Sequence, residues 1–91
     1  MSPFRAKKLR FIRFPWGYEQ TPAVRPKELA RIARKLDFVL DRQKGSHAVY
    51  LRVADRRRIV IPMHNRDLKP GTLHGLIGDL GISASEFAEL L

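Results

Sequence analysis

Leu29, Ile32, Ala33 and Leu36 recur at i, i+3, i+4 and i+7, with Pro26 suited to a first helical turn. That spacing predicts a helix beginning near Pro26. Three short runs of strand character come next: Phe38–Gln43, His47–Val53 and Arg58–Pro62. In the second, Val49, Leu51 and Val53 lie on one side, and Ala48, Tyr50 and Arg52 on the other. Lys44-Gly45-Ser46 joins the first two runs at hairpin length, and Gly45 is able to take a positive φ. Ala54-Asp55-Arg56-Arg57 is a second polar connection, and Pro62, lacking an N–H, ends the third run. The pattern predicts a three-stranded antiparallel meander.

His64-Asn65-Arg66-Asp67-Leu68 reads as a loop, and Pro70-Gly71-Thr72 opens a second helix carrying Leu73, Leu76, Ile77 and Leu80 at i, i+3, i+4 and i+7. Gly75 and Gly78 weaken that helix by roughly 1 kcal/mol each relative to alanine. The expected compensation is close approach to another backbone. Gly81 is a C-terminal stop. Ser83-Ala84-Ser85-Glu86 fits the capping box S-x-x-E, so a short last helix is expected, with Phe87, Leu90 and Leu91 on its apolar side. The expected class is therefore α+β, in the order helix, three strands, helix, short helix, with neither an internal repeat nor a low-complexity tract.

Residues 1–25 differ from the rest. Arg5, Lys7, Lys8, Arg10 and Arg13 stand among Phe4, Phe11, Phe14, Trp16 and Tyr18, with no acid before Glu19. Alternation around Phe11 permits a short strand, and Pro15, Pro22 and Pro26 favour an extended or loop-like chain beyond it. This is an N-terminal extension preceding a domain over 26–91. It is read either as an arm whose cations meet phosphates while its rings stack on bases, or as a segment packing its rings on the domain.

Charge narrows the choice of partner. Eighteen Lys and Arg against nine Asp and Glu give a formal charge of +9, which points to an anionic partner, nucleic acid first. Arg31, Arg34 and Lys35 fall largely off the apolar stripe of the first helix, as a solvated face or a basic surface for RNA. The absence of cysteine excludes disulfides and thiolate zinc sites, and fits a reducing, cytoplasmic setting. No apolar run approaches the ~20 residues that span a bilayer, and Arg10 and Arg13 interrupt any secretory h-region, so no membrane association is expected.

His47, His64 and His74 match no metal-ligand spacing, and the aspartates are scattered through different elements, so neither a metal nor another cofactor is expected. Ser46 and His47 are no nucleophile–base couple by adjacency alone, because neighbours on a strand point to opposite faces. RNA, however, carries its own nucleophile, the 2′-hydroxyl. Cleaving it needs a base, an acid and cations to stabilise the phosphorane charge. An imidazole, with a reference pKa of ~6.5, suits the proton transfers, and Arg42 and Lys44 would supply charge beside it. From the residues alone His47 reads first as a turn-flanking histidine bonding locally, and only second as a proton-transfer group. Strand parity puts it on the side of Val49 and Leu51, so if that side faces the helices its ring must sit at the sheet margin. His74, beside the stripe of the second helix, reads as a surface residue.

Leu29-Ala30-Arg31-Ile32, Gly45-Ser46-His47, Val60-Ile61-Pro62-Met63-His64 and Asp67-Leu68-Lys69-Pro70-Gly71-Thr72-Leu73, in that order over about residues 26–82, resemble the HicA (YcfA-like) toxins of toxin–antitoxin pairs. The resemblance implies a fold similar to double-stranded-RNA-binding domains, with helices packed on one face of the sheet. It implies a ribonuclease that cuts mRNA without a metal, and a HicB-type antitoxin that blocks it. The family's catalytic histidine falls on His47 and its preceding glycine on Gly45. Arg42, Lys44, Gly45 and Ser46 become the expected RNA contacts, with His64 and Lys69 as possible supporting residues. Many members carry a second histidine after the catalytic one; here that residue is Ala48. The alternative is a non-catalytic RNA-binding module of the same fold.

Overall fold

The computed structural model describes residues 11–12 and 21–91, with side chains from Ala23 onward. Two-residue strands β1 (Phe11–Ile12) and β2 (Thr21–Pro22) pair antiparallel. A short strand at Phe11 was expected; its partner at Thr21–Pro22 was not. The remainder of the basic aromatic arm lies outside the described residues. After β2 come helix α1 (Pro26–Lys35), strands β3 (Val39–Lys44), β4 (His47–Arg52) and β5 (Arg57–Pro62), and helices α2 (Pro70–Leu80) and α3 (Ala84–Leu90). The order is the expected one and the class is α+β.

The helix ends are set by local chemistry. Pro26 occupies the first position of α1, and the Glu28 carboxylate accepts from the Arg25 amide at 2.9 Å. Asp37 ends α1 at φ 72°, a left-handed conformation that Asp tolerates better than most residues. Gly81 ends α2 at φ 84°. Ser83 and Glu86 form the reciprocal capping box of α3, at 3.0 and 2.8 Å. The close backbone approach expected at Gly75 and Gly78 does not occur: a Cβ at either would meet no atom within 4 Å. Both lie on the exposed side of α2, where they cost helix propensity without a packing return.

The sheet has the order β3-β4-β5, antiparallel throughout. Its two faces differ. Ala48, Tyr50, Ile59 and Ile61 form one, buried against Leu29, Ile32 and Ala33 of α1, Leu73, Leu76, Ile77 and Leu80 of α2, and Phe38, Leu68 and Phe87. The edge strand β3 is the least covered of the three: its six residues are all exposed. Leu40, which pairs with Tyr50 and shares its face, is therefore half in water.

Arg52 fastens α1 to the far end of the sheet. One guanidinium nitrogen donates to the Leu36 carbonyl at the end of α1 (2.9 Å), and two others grip the Asp55 carboxylate, both at 3.0 Å. The guanidinium carbon lies 4.7 Å from the centre of the Phe38 ring. The hydrogen bond from Arg52 holds the Asp55 carboxyl down at a pKa of about 2.

Candidate active site

The site begins at the β3–β4 turn. Lys44 pairs with His47, leaving only Gly45 and Ser46 between the strands. Gly45 takes φ 59° while Ser46 keeps a negative φ, the pattern of a II′ hairpin turn. A side chain at 45 would meet nothing within 4 Å, so glycine is needed there for its backbone and not for space. The Gln43 side chain donates to the Gly45 carbonyl at 3.2 Å, and the Met63 amide donates to the Ser46 carbonyl at 2.6 Å. The turn is thus held from β3 on one side and from the end of β5 on the other.

Register then decides which side chains meet. Lys44, His47 and Pro62 form one row across the sheet, Arg42, Val49 and Val60 the next, and Val39, Leu51 and Arg58 a third. All three rows belong to the face turned away from the helices. His47 is exposed at its corner. The face carrying Val49 and Leu51 is the open one, so the marginal position required of a histidine on a covered face does not arise.

A β-bulge completes the grouping. The β3–β4 register shifts between Leu40 and Arg42, leaving Asp41 as the extra residue. Unbroken alternation from Phe38 would put Arg42 and Lys44 on the same side as Phe38 and Leu40. The bulge lets Leu40 face the helices while Arg42 and Lys44 face out beside His47. Directly paired side chains have Cβ atoms about 4.5–5.5 Å apart, and diagonal ones about 7–8 Å. Lys44 is the direct neighbour of His47 and Arg42 the diagonal one. No acidic residue occupies a register position in these three rows.

The other expected residues separate. His64 comes directly after Met63, whose amide bonds Ser46, so it leaves the sheet at the His47 end; its Nδ1 accepts from the Arg66 amide at 3.4 Å. Lys69 is the exposed N-cap of α2, in the helical layer, and the strand register does not connect it to His47. His74 is half-buried on α2, and burial lowers its pKa. Among the described residues no three His, Asp or Glu side chains group as metal ligands, and no helix is long and apolar enough to cross a membrane.

Sequence reasoning missed Arg58 and the apolar pair Val39 and Val60 on the same open face, 55% and 41% exposed. The alternation of Ile59 and Ile61 with Arg58 and Val60 carried that signal, because it fixes which side of β5, and so of its neighbour β4, is buried.

No curated protein sequence matches the chain. The family model described as the HicA toxin of bacterial toxin–antitoxin systems matches residues 26–82, from the first residue of α1 to just beyond the end of α2, and so spans all three strands that build the His47 face. The chain belongs to the HicA toxin family.

Proposed function

We propose that this toxin is a metal-independent endoribonuclease acting on mRNA, with His47 as its proton-transfer group. The observation that carries the reading is the shared face: Arg42 and Lys44 stand beside an exposed His47, and no acid takes a paired position in the three rows. In the proposed reaction a base removes the 2′-hydroxyl proton and the 2′-oxygen attacks the adjacent phosphorus. The P–O5′ bond then breaks, and an acid protonates the departing 5′-oxygen. His47 performs one of these transfers. Lys44 and Arg42 stabilise the added charge on the phosphorane. The products are a 2′,3′-cyclic phosphate and a 5′-hydroxyl. Gly45 and Ser46 bring the RNA backbone close to the turn; His64, at the same end of the sheet, is a supporting contact, and Lys69 a more distant one.

The same face suits a HicB-type antitoxin. Val39 and Val60 give it an apolar centre and Arg42, Lys44 and Arg58 a basic surround, so a partner with an apolar patch edged by carboxylates would cover His47 and bind fast through charge steering.

The deciding experiment incubates the purified protein with RNA in EDTA and maps the product ends. Cyclic-phosphate ends, blocked by a 2′-deoxy substitution at the cut site and abolished by His47→Ala in a folded protein, are the expected result. Binding without products would make the protein an RNA-binding module, and cleavage by His47→Ala would remove the histidine from the mechanism.

A further inference from the structure

The helix side of the sheet carries a second basic feature. A groove of about 400 Å³ lies between α1 and the sheet, walled by Lys27, Arg31 and Arg34 and floored by Tyr50 and Met63. Its cause is a small side chain on α1 opposite a large one on β4. Ala30 leaves room above Tyr50, whose partner on the edge strand is the exposed Leu40. Lys27, Arg31 and Arg34 fall at i, i+4 and i+7, one side of the helix, and all three are exposed.

Two observations separate these cations from an ordinary solvated helix face. First, ion pairs are formed elsewhere in the domain, by Arg25 with Asp67 and by Arg52 and Arg57 with Asp55. Among the described residues none of Lys27, Arg31 and Arg34 has such a partner. The one acid lining the groove, Glu28, turns its carboxylate to the Arg25 amide. Second, the groove leads to the candidate active site. Met63 lines it and also bonds the carbonyl of Ser46, the residue before His47. The groove and the His47 face are therefore on opposite sides of the sheet but meet at the same end of it, around the β3–β4 turn.

We propose that this groove binds the phosphodiester backbone of a single RNA strand, continuing the path of the strand presented to His47. The strand crosses the end of the sheet at Ser46 and Met63 and lies along α1, where Lys27, Arg31 and Arg34 neutralise successive phosphates. The placement rests on the ribonuclease reading for its direction of travel, but the contact itself is testable without any cleavage. It makes binding dependent on RNA length: a strand reaching only the His47 face gains nothing from the groove, and a longer one gains the α1 contacts.

The test measures binding of labelled single-stranded RNAs of increasing length to the full chain carrying His47→Ala, across a salt series. For single strands the slope of log affinity against log salt is about 0.7 per neutralised phosphate. Adding Arg31→Gln and Arg34→Gln is expected to reduce the slope by about 1.4 for long RNA and to remove most of the gain in affinity with length, leaving the share of Lys27. The matched control removes two cations that do not line the groove, Lys35→Gln in the last turn of α1 and Arg56→Gln between β4 and β5. An unchanged slope in the groove variant, or an equal fall in the control, overturns the proposal. Thermal melts establish that each variant is folded; should the double variant melt early, Lys27→Gln alone is expected to lower the slope by about 0.7, and no fall overturns the proposal equally. Cleavage by the protein with His47 intact is scored separately, so RNA binding with the predicted slopes but without products refutes the nuclease reading and leaves the groove standing.

Discussion

The two faces of the sheet are built from alternate residues of the same strands, yet they answer to different demands. On the covered face Ala48, Tyr50, Ile59 and Ile61 are almost wholly removed from water. On the open face their sequence neighbours His47, Val49, Arg58 and Val60 meet solvent to varying degrees. Covered-face residues hold the helices, and a change there is felt by the whole fold. Open-face residues hold little, so they are free to carry charge, an exposed imidazole and an apolar patch. Stability and chemistry are thus separated by one residue of sequence and the thickness of one sheet.

His47→Ala puts that separation under the greatest stress. It should cost about 10²–10⁴ in RNA cleavage, the usual worth of a positioned proton-transfer group, while the melting temperature stays put. A melting temperature that falls with activity would show the two faces to be coupled. Next is Ile61→Ala on the covered face, expected to cost about 2–5 kcal/mol of stability in a urea titration. Val60→Ala, one residue away on the open face, should stay within about 0.5 kcal/mol.

Smaller effects are expected away from the sheet. Gly75→Ala and Gly78→Ala should each stabilise the domain by about 1 kcal/mol, read as a rise of several degrees in melting temperature, because α2 exposes both positions. A loss instead would reveal packing on that side of α2. The mildest effect appears in acid. Asp55 has a folded pKa of about 2, below the ~3.9 of an unfolded aspartate. Its contribution is therefore fully present above about pH 4 and disappears as pH falls toward 2. Asp55→Asn should flatten the melting temperature over that interval and leave the slope unchanged at neutral pH.

Much of the fold was legible because local chemistry and long-range packing agree. The stripe from Leu29 to Leu36, the prolines at 26 and 70, the stop at Gly81 and the Ser83–Glu86 box each predict an element that forms. The open question in the sequence was which side of β4 is buried. Val49 and Leu51 are more apolar than Ala48 and Tyr50, so hydrophobicity along β4 cannot choose the right side. Its neighbour β5 can, since Ile59 and Ile61 alternate with Arg58 and Val60 and the ladder carries that choice across. The bulge at Asp41 is another matter. Nothing in Leu40-Asp41-Arg42 marks a register shift, and simple alternation sends Arg42 and Lys44 to the wrong face. The pairing of Thr21–Pro22 with Phe11–Ile12 was equally hidden, because it depends on a partner strand nine residues away and not on its own composition.

His47 also shows why Ala48 suits its place. Adjacent strand residues point to opposite faces, and Ala48 points into the helical layer, 1% exposed. A second imidazole there would be directed into the core and away from the first.

The II′ turn at Gly45–Ser46 has a final consequence. With only two residues between paired strands, and with Gln43 and Met63 bonded to it from either side, it has no slack to adopt a second shape. A histidine mounted there is in working position as soon as the domain has folded. On the proposed ribonuclease reading, silencing such a site falls to a shield placed over the finished surface, and its release is as fast as that shield comes away.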